Sequence, residues 1–189
     1  MEDRIEVRVW EISKGVAFKD MFILILHEVN GDRKFPMLLT IGEAVGIIQE
    51  LHGNVRRMGN KSSKEKITYC ETMTKLLVAL DVIVEHVWIT DIEKGGYKSE
   101  VSIQQCGRIE KFVTNAADGI LLALQTRCPL YIKPQLLEHQ YFDSSNRDSI
   151  NLPIQILDLE LLQDALEGAI QTENYEAAEA IQNEIKRRK

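Results

Sequence analysis

Three carboxylates in this chain are placed where they could do chemistry: Glu43, Glu71 and Asp118. Each falls at or near the start of a predicted helix. Hydrolysis of a phosphodiester needs an activated water, stabilisation of developing negative charge and an orienting group. Clustered carboxylates holding Mg²⁺ or Mn²⁺ supply the first two. If the three helix starts converge, Glu43, Glu71 and Asp118 form such a cluster. The same residues have a second reading. Acidic side chains favour helix N-termini because they complement the helix macrodipole. Asn115-Ala116-Ala117-Asp118 also has the form of a cap with an acid at its third helical position.

A basic stretch, Arg56, Arg57, Lys61, Lys64 and Lys66, lies between the first two of these helix starts. In a nuclease it would contact phosphates. No aromatic residue interleaves it before Tyr69, so it reads equally as a solvated surface loop without a stacking platform. His27, His52, His86 and His139 show no ligand spacing, and no H-E-x-x-H, Walker A or G-x-G-x-x-G pattern is present. Trp10 and Trp88 read as core or edge packing.

The formal net charge of -6 gives the chain no overall field that attracts phosphate, so any nucleic-acid contact must come from a local basic patch or a metal. The 189 residues suffice for one sizeable domain and an appendage. Three cysteines, Cys70, Cys106 and Cys128, are odd in number and lack C-x-x-C spacing. A disulfide framework and a cysteine-rich zinc site are therefore not expected, and a reducing, cytoplasmic compartment is. Met1-Glu2-Asp3-Arg4 opens no basic-then-apolar secretory pattern. The strongly apolar run Met21 to Leu26 is too short to span a bilayer.

The elements that must position these residues follow from periodicity. Ile5, Val7 and Val9 alternate with Glu6 and Arg8, the pattern of a strand with one buried face. Met21 to Val29 reads as a central strand, Asn30-Gly31-Asp32 as a turn, and Phe35 to Ile41 as the hairpin partner. Gly42 breaks that strand. A helix over Glu43 to Leu51 follows, with Gly53 ending it, and then a polar loop over Asn54 to Lys66. Met73, Leu76, Leu77, Leu80 and Val84 predict a second helix. Gly95-Gly96 marks a hairpin between Val87–Ile89 and Tyr97–Ile103. A strand over Arg108 to Val113, a helix over Ala116 to Gln125, a short strand over Pro129 to Ile132 and a short helix over Pro134 to His139 complete the first part. The polar, turn-rich stretch 143–153 reads as a linker. Beyond it lie two helical faces, Leu159, Leu162, Leu166 and Ala169, then Tyr175, Ala178, Ile181 and Ile185, with Asn174 as the cap between them.

The expected fold is therefore α+β: a mixed, largely antiparallel sheet with packed helices over 1–142, a linker over 143–153, and an antiparallel helical hairpin over 154–189. Two short helices bury little by themselves, so the hairpin is expected to need a partner or a second copy. Self-association is predicted on that ground.

Two resemblances sharpen this reading. The run from Leu162 to Ile185, with Tyr175-Glu176-Ala177-Ala178 and Asn183-Glu184-Ile185, resembles the UVR motif of the UvrB and UvrC repair proteins. That resemblance implies a protein-interaction hairpin, of the kind also found in partner proteins of Clp protease. The first 140 residues resemble the bifunctional nuclease family. Phe35-Pro36-Met37-Leu38-Leu39-Thr40-Ile41-Gly42-Glu43-Ala44 is similar to its L-P-I-x-I-G-x-x-E-A segment. Asn115 to Leu124 followed by Cys128-Pro129-Leu130-Tyr131-Ile132 is similar to its R-P-S-D-A-I-x-L-A and A-P-I-F-V segments, and Tyr69-Cys70-Glu71 stands at its T-H-D triplet.

The departures are specific. Cys70 stands at the family's histidine position, Asn115 at its arginine, and Ala116 and Ala117 at its proline and serine, while Glu71 and Asp118 keep their carboxylates. The resemblance implies a DNase and RNase activity with Mg²⁺ or Mn²⁺, DNA or RNA as partner, and a protein partner for 154–189. The departures support the alternative, an adaptor that has lost its site and acts through the hairpin in DNA repair or stress proteolysis.

Overall fold

The computed structural model describes residues 4–14, 21–57, 69–93, 96–138, 157 and 159–188. The first three strands, β1 (Ile5–Lys14), β2 (Met21–Glu28) and β3 (Lys34–Thr40), form an antiparallel meander. A helix α1 (Ile41–Arg57) and a helix α2 (Tyr69–Ala79) follow, and then a second antiparallel meander of β4 (Val82–Glu93), β5 (Gly96–Gln105) and β6 (Arg108–Asn115). Helix α3 (Ala116–Thr126), the short strand β7 (Leu130–Ile132) and a short helix α4 (Pro134–Glu138) come next. Helices α5 (Leu159–Gln171) and α6 (Tyr175–Arg188) close the order.

The seven strands make one mixed sheet in the order β3-β2-β1-β7-β4-β5-β6. Three-residue β7 joins the two meanders, antiparallel to β1 and parallel to β4. The remaining pairings are antiparallel, as the alternating sequence pattern predicts. Cys106-Gly107, with φ of 50° and 78°, forms the two-residue turn between β5 and β6, whose last pair is Gln105 with Arg108. Positive φ at both central residues gives the turn a twist that matches the strands.

Helices α1 and α3 lie over one face of the sheet. Leu24, Leu26, Phe35, Met37, Leu39, Ile47, Val87, Ile89, Ile120 and Ile132 are buried there in a single core. Two glycines set how closely this layer approaches. A Cβ at Gly46 of α1 would stand 2.8 Å from Leu121 Cδ2 of α3. A Cβ at Gly119 would stand 2.5 Å from Ser99 Oγ and 2.9 Å from Val87 Cγ1, both on strands beneath the helix. Gly119→Ala is therefore expected to cost about 1–3 kcal/mol, since α3 must lift off a packed sheet. A shift of the denaturant midpoint measures it, and an unchanged midpoint would show that α3 rides loosely on β5.

The opposite face is covered differently on β2 and β3. Ile23 and Leu38 point away from the first core into a second one with Leu157, Leu162, Ala169, Ala178, Ile181 and Ile185 of the C-terminal hairpin. This explains the unbroken apolar run of β2: both of its faces are covered, so it cannot alternate. The hairpin faces that sequence reasoning left waiting for a partner thus have cover within their own chain. Asn174 caps α6 as predicted, its Oδ1 accepting from Ala177 N at 3.1 Å. At the far end, buried Glu184 accepts from Arg187 and Arg188, and Arg188 donates to the Leu157 carbonyl. Burial raises the pKa of the Glu184 carboxyl, but those two guanidinium hydrogen bonds outweigh it and leave the value below the usual carboxylate range. The basic end of α6 therefore fastens the hairpin as well as complementing the dipole.

Two local expectations need correction. Gly53 does not end α1, which runs on to Arg57; a glycine inside a helix costs only about 1 kcal/mol relative to alanine and need not stop it. Val84 is not on a helix. Helix α2 stops at Ala79, Asp81 takes φ 54°, and Val84 enters the core from β4. The spacing of Leu80 and Val84 fits both periods by coincidence. The predicted linker 143–153 lies outside the described residues. Among the described residues no helix is long and apolar enough to cross a membrane.

Candidate functional site

The start of α1 is built by a reciprocal cap. Thr40, the last residue of β3, donates from both its N–H and its Oγ1 to Glu43 Oε2, each at 2.8 Å. Glu43 N reaches back to Thr40 Oγ1 at 3.4 Å. This is the T-x-x-E arrangement, in which one carboxylate and one hydroxyl satisfy orphan donors of the first turn. The signal was present in Thr40-Ile41-Gly42-Glu43, and sequence reasoning missed the part Thr40 plays.

The start of α3 is capped by Asn115, whose Oδ1 accepts from Ala117 N at 2.7 Å. Its Nδ2 donates to Glu43 Oε1 at 2.9 Å. The two caps are therefore one network. Glu43 Oε2 serves α1, Glu43 Oε1 holds Asn115, and Asn115 in turn fixes the first turn of α3. Two of the three predicted helix starts do converge, and Glu43 is the residue that ties them. Asp118 sits in the first turn of α3 and is exposed to solvent.

Because Asn115 serves both neighbours, Asn115→Ala removes a helix cap and a tie between helices together. The expected loss is about 1–2 kcal/mol, read as a fall in thermal midpoint. A neutral result would show that the network bears no load.

Glu71 belongs to the first turn of α2, and its side chain lies outside the described residues. The same holds for the side chains of Arg56 and Arg57, which ride on the end of α1 and not on a loop as predicted. Lys61, Lys64 and Lys66 also lie outside the described residues. Among the described residues no three His, Cys, Asp or Glu side chains come together as a metal cluster. Both Glu43 oxygens already accept hydrogen bonds, which leaves Asp118 as the exposed carboxylate of this pair. Mg²⁺ needs several oxygen ligands in near-octahedral array, so the described donor set does not fit that ion by itself.

Burial pushes the Cys128 thiol up, away from the reactive thiolate, and Cys106 occupies the β5–β6 turn. Burial, and then the Arg4 guanidinium, whose Nη1 stands 2.7 Å from its Nε2, push the His86 pKa below the ordinary imidazole value. Arg4 also stacks 4.2 Å over the Trp88 ring. These groups pack the centre of the sheet on the face away from α1 and α3. Trp88 is buried as expected, whereas Trp10 is largely exposed beside His27, ring centroids 5.0 Å apart.

Two uncharacterized proteins, from two strains of Mycobacterium tuberculosis, are each 25% identical to this chain over 115 residues. The match covers 61% of this chain and 63% of each relative, so it spans less than two thirds of their length. The family model described as the bifunctional nuclease domain matches residues 24–145, which is more than half of the chain and runs from within β2 through α4, with both capped helix starts. The chain belongs to the bifunctional nuclease domain family.

Proposed function

We propose that this protein cleaves phosphodiester bonds of DNA or RNA at the joined starts of α1 and α3, and that residues 154–189 act as a UVR-type hairpin that docks a protein partner. Family membership over residues 24–145 is the observation that carries the reading. Within that span the geometry supports a division of labour. Asp118 offers an exposed carboxylate to orient or activate a water. Glu43, with both oxygens occupied, is a positioning residue that fixes Asn115 and through it the backbone presenting Asp118. Glu71 completes the acidic set by its place in the first turn of α2. The basic residues Arg56, Arg57, Lys61 and Lys64 are assigned to phosphate contact.

The experiment is cleavage of labelled single- and double-stranded DNA and RNA by the purified chain, with Mg²⁺, with Mn²⁺ and with EDTA. Cutting above the buffer control supports the nuclease. No cutting of any substrate under any condition refutes it.

A second reading has its own observation. Asn115 stands where the family resemblance expects an arginine, and here it is engaged as a cap and as a donor to Glu43. A position engaged in holding two helices together is not free to bind a phosphate. On this reading the domain is a scaffold, and the hairpin, with Leu159, Ile170 and Tyr175 exposed on its outer side, carries the function as an adaptor.

A further inference from the structure

The sheet face turned away from α1 and α3 carries a side-chain cluster that the proposed cleavage site does not use. Val7 and Val9 of β1, Leu26 of β2 and Phe35 of β3 pack in the core beneath those helices. Successive strand residues point to opposite faces, so Arg8, His27 and Lys34 point the other way. The ladders set these three side by side: Arg8 pairs with His27, and His27 with Lys34. Neighbouring strands lie about 4.8 Å apart, so the row crosses about 10 Å of sheet. The hairpin covers this face over Ile23, Ile25 and Leu38. The row lies beyond that cover, with Arg8 and Lys34 exposed.

A bulge adds Trp10 to the row. The β1–β2 register shifts between Val9, paired with Leu26, and Glu11, paired with Ile25. Trp10 is the extra residue, and a bulge re-aims the side chain it carries. A tryptophan gains most from burial, yet this one is 54% exposed. Its ring lies against His27, with centroids 5.0 Å apart and planes at 31°. The Arg8 guanidinium carbon stands 5.6 Å from the ring centroid. The His27 Nδ1–H donates to the Glu28 carbonyl at 2.7 Å, which fixes that imidazole beside the indole. The basic stretch 56–66 has no interleaved aromatic residue. Here the fold brings an aromatic ring to basic side chains from three strands.

We propose that this cluster is a nucleic-acid contact separate from the cleavage site, which holds single-stranded DNA or RNA by stacking one base on Trp10 and seating the flanking phosphates on Arg8 and Lys34. Stacking of this kind needs an unpaired base and accepts any base, because each has a π-face. The charges fit a strand that runs across the sheet. Arg8 and Lys34 lie along that direction, whereas the carboxylates of the same face, Glu6 and Glu11, stand to either side of Arg8 along β1. The joined starts of α1 and α3 belong to the opposite, helix-bearing side. Binding at Trp10 therefore needs neither their carboxylates nor a metal, and it is separable from cutting.

Anisotropy of a short labelled oligonucleotide of mixed sequence, titrated with the full chain in EDTA, tests the contact. The single strand is expected to bind, and a blunt duplex of the same sequence to bind more weakly. Trp10→Ala is expected to weaken the single strand at least about fivefold, the lower end of what one stacked base contributes, and Trp10→Phe to keep most of the affinity. Arg8→Gln and Lys34→Gln are each expected to reduce the slope of log affinity against log salt by about 0.7. Arg108→Gln, an exposed cation at the start of β6, is expected to leave both affinity and slope near those of the parent. A second measurement reads the ring itself. In Trp88→Phe, where Trp10 is the remaining tryptophan, the single strand should quench the emission. Absence of binding in EDTA overturns the proposal. So does equal affinity for the duplex, or a Trp10→Ala chain that binds as the parent does. Binding that depends on Trp10 in a chain that cuts nothing upholds this contact and sinks the cleavage reading; cutting without such binding does the reverse.

Discussion

On the proposed nuclease reading, the Asp118→Ala, Glu71→Ala double variant is expected to lose at least about a hundredfold of phosphodiester cleavage, the lower end of what a positioned acid or base contributes. The expectation rests on exposure and on place. Asp118 is the exposed carboxylate beside the joined helix starts, and Glu71 falls in the first turn of α2. Folding should be nearly untouched. The exposed Asp118 in the first turn of α3 contributes about 0.3–1 kcal/mol through the dipole, so its substitution should leave the melting point within a few degrees of the parent. The informative companion is Glu43→Gln. It keeps an oxygen for Thr40 or Asn115 but removes the charge that both contacts share. A positioning role predicts a partial loss of turnover with substrate affinity little changed. If Glu43→Gln abolishes cutting while the double variant retains it, the assignment of roles is reversed. Cutting equal in the double variant and the parent would show that the acidic set is not the site.

Removal of residues 154–189 is expected to leave a domain that still melts cooperatively, but at a lower temperature. The core beneath α1 and α3 stays whole without the hairpin. What is lost is cover for Ile23 and Leu38, which return to water along with the partly buried Met21 and Ile25 beside them. Fully exposing two such side chains costs about 3–6 kcal/mol, a fall on the order of 10 °C for a domain of this size. The truncated chain should also bind an apolar dye on the bared β2–β3 face. An unchanged midpoint would mean that the hairpin does not rest on the sheet in solution. Loss of any cooperative transition would mean that it is part of the fold, and that the boundary at 153 is wrong. Ile181→Asp in the full chain puts a charge into the same layer, where Ile181 is buried against the hairpin core, and should produce a drop of similar size.

If the hairpin both covers the sheet and binds a partner, the two roles meet on different sides of it. Leu162, Ile181 and Ile185 face β2 and β3, while Leu159, Ile170 and Tyr175 face outward. A partner could engage the outer side without exposing Ile23 and Leu38.

Several features of this protein were determined by the sequence alone, because each is decided within a few residues. Asn115 had to cap α3 and Asn174 had to cap α6, since each precedes an apolar helical stripe and offers a short acceptor. Cys106-Gly107 had to turn tightly between strands that pair residue for residue. The α+β class followed from alternation in β1 and three-to-four spacing in α3, α5 and α6. The tertiary structure decided what depends on distant partners. It made three-residue β7 the seam between two meanders, a choice set by β1 and β4 and invisible in Leu130-Tyr131-Ile132. It carried α1 past Gly53 and put Val84 on a strand paired with Ile103 of β5. It placed the hairpin on β2 and β3, which converts the unbroken apolar run of β2 from a central strand's signature into that of a strand buried on both faces. It also bound Glu43 to Asn115 across 72 residues, and only this contact shows that one of the three candidate acids already has both oxygens engaged in holding two helices together.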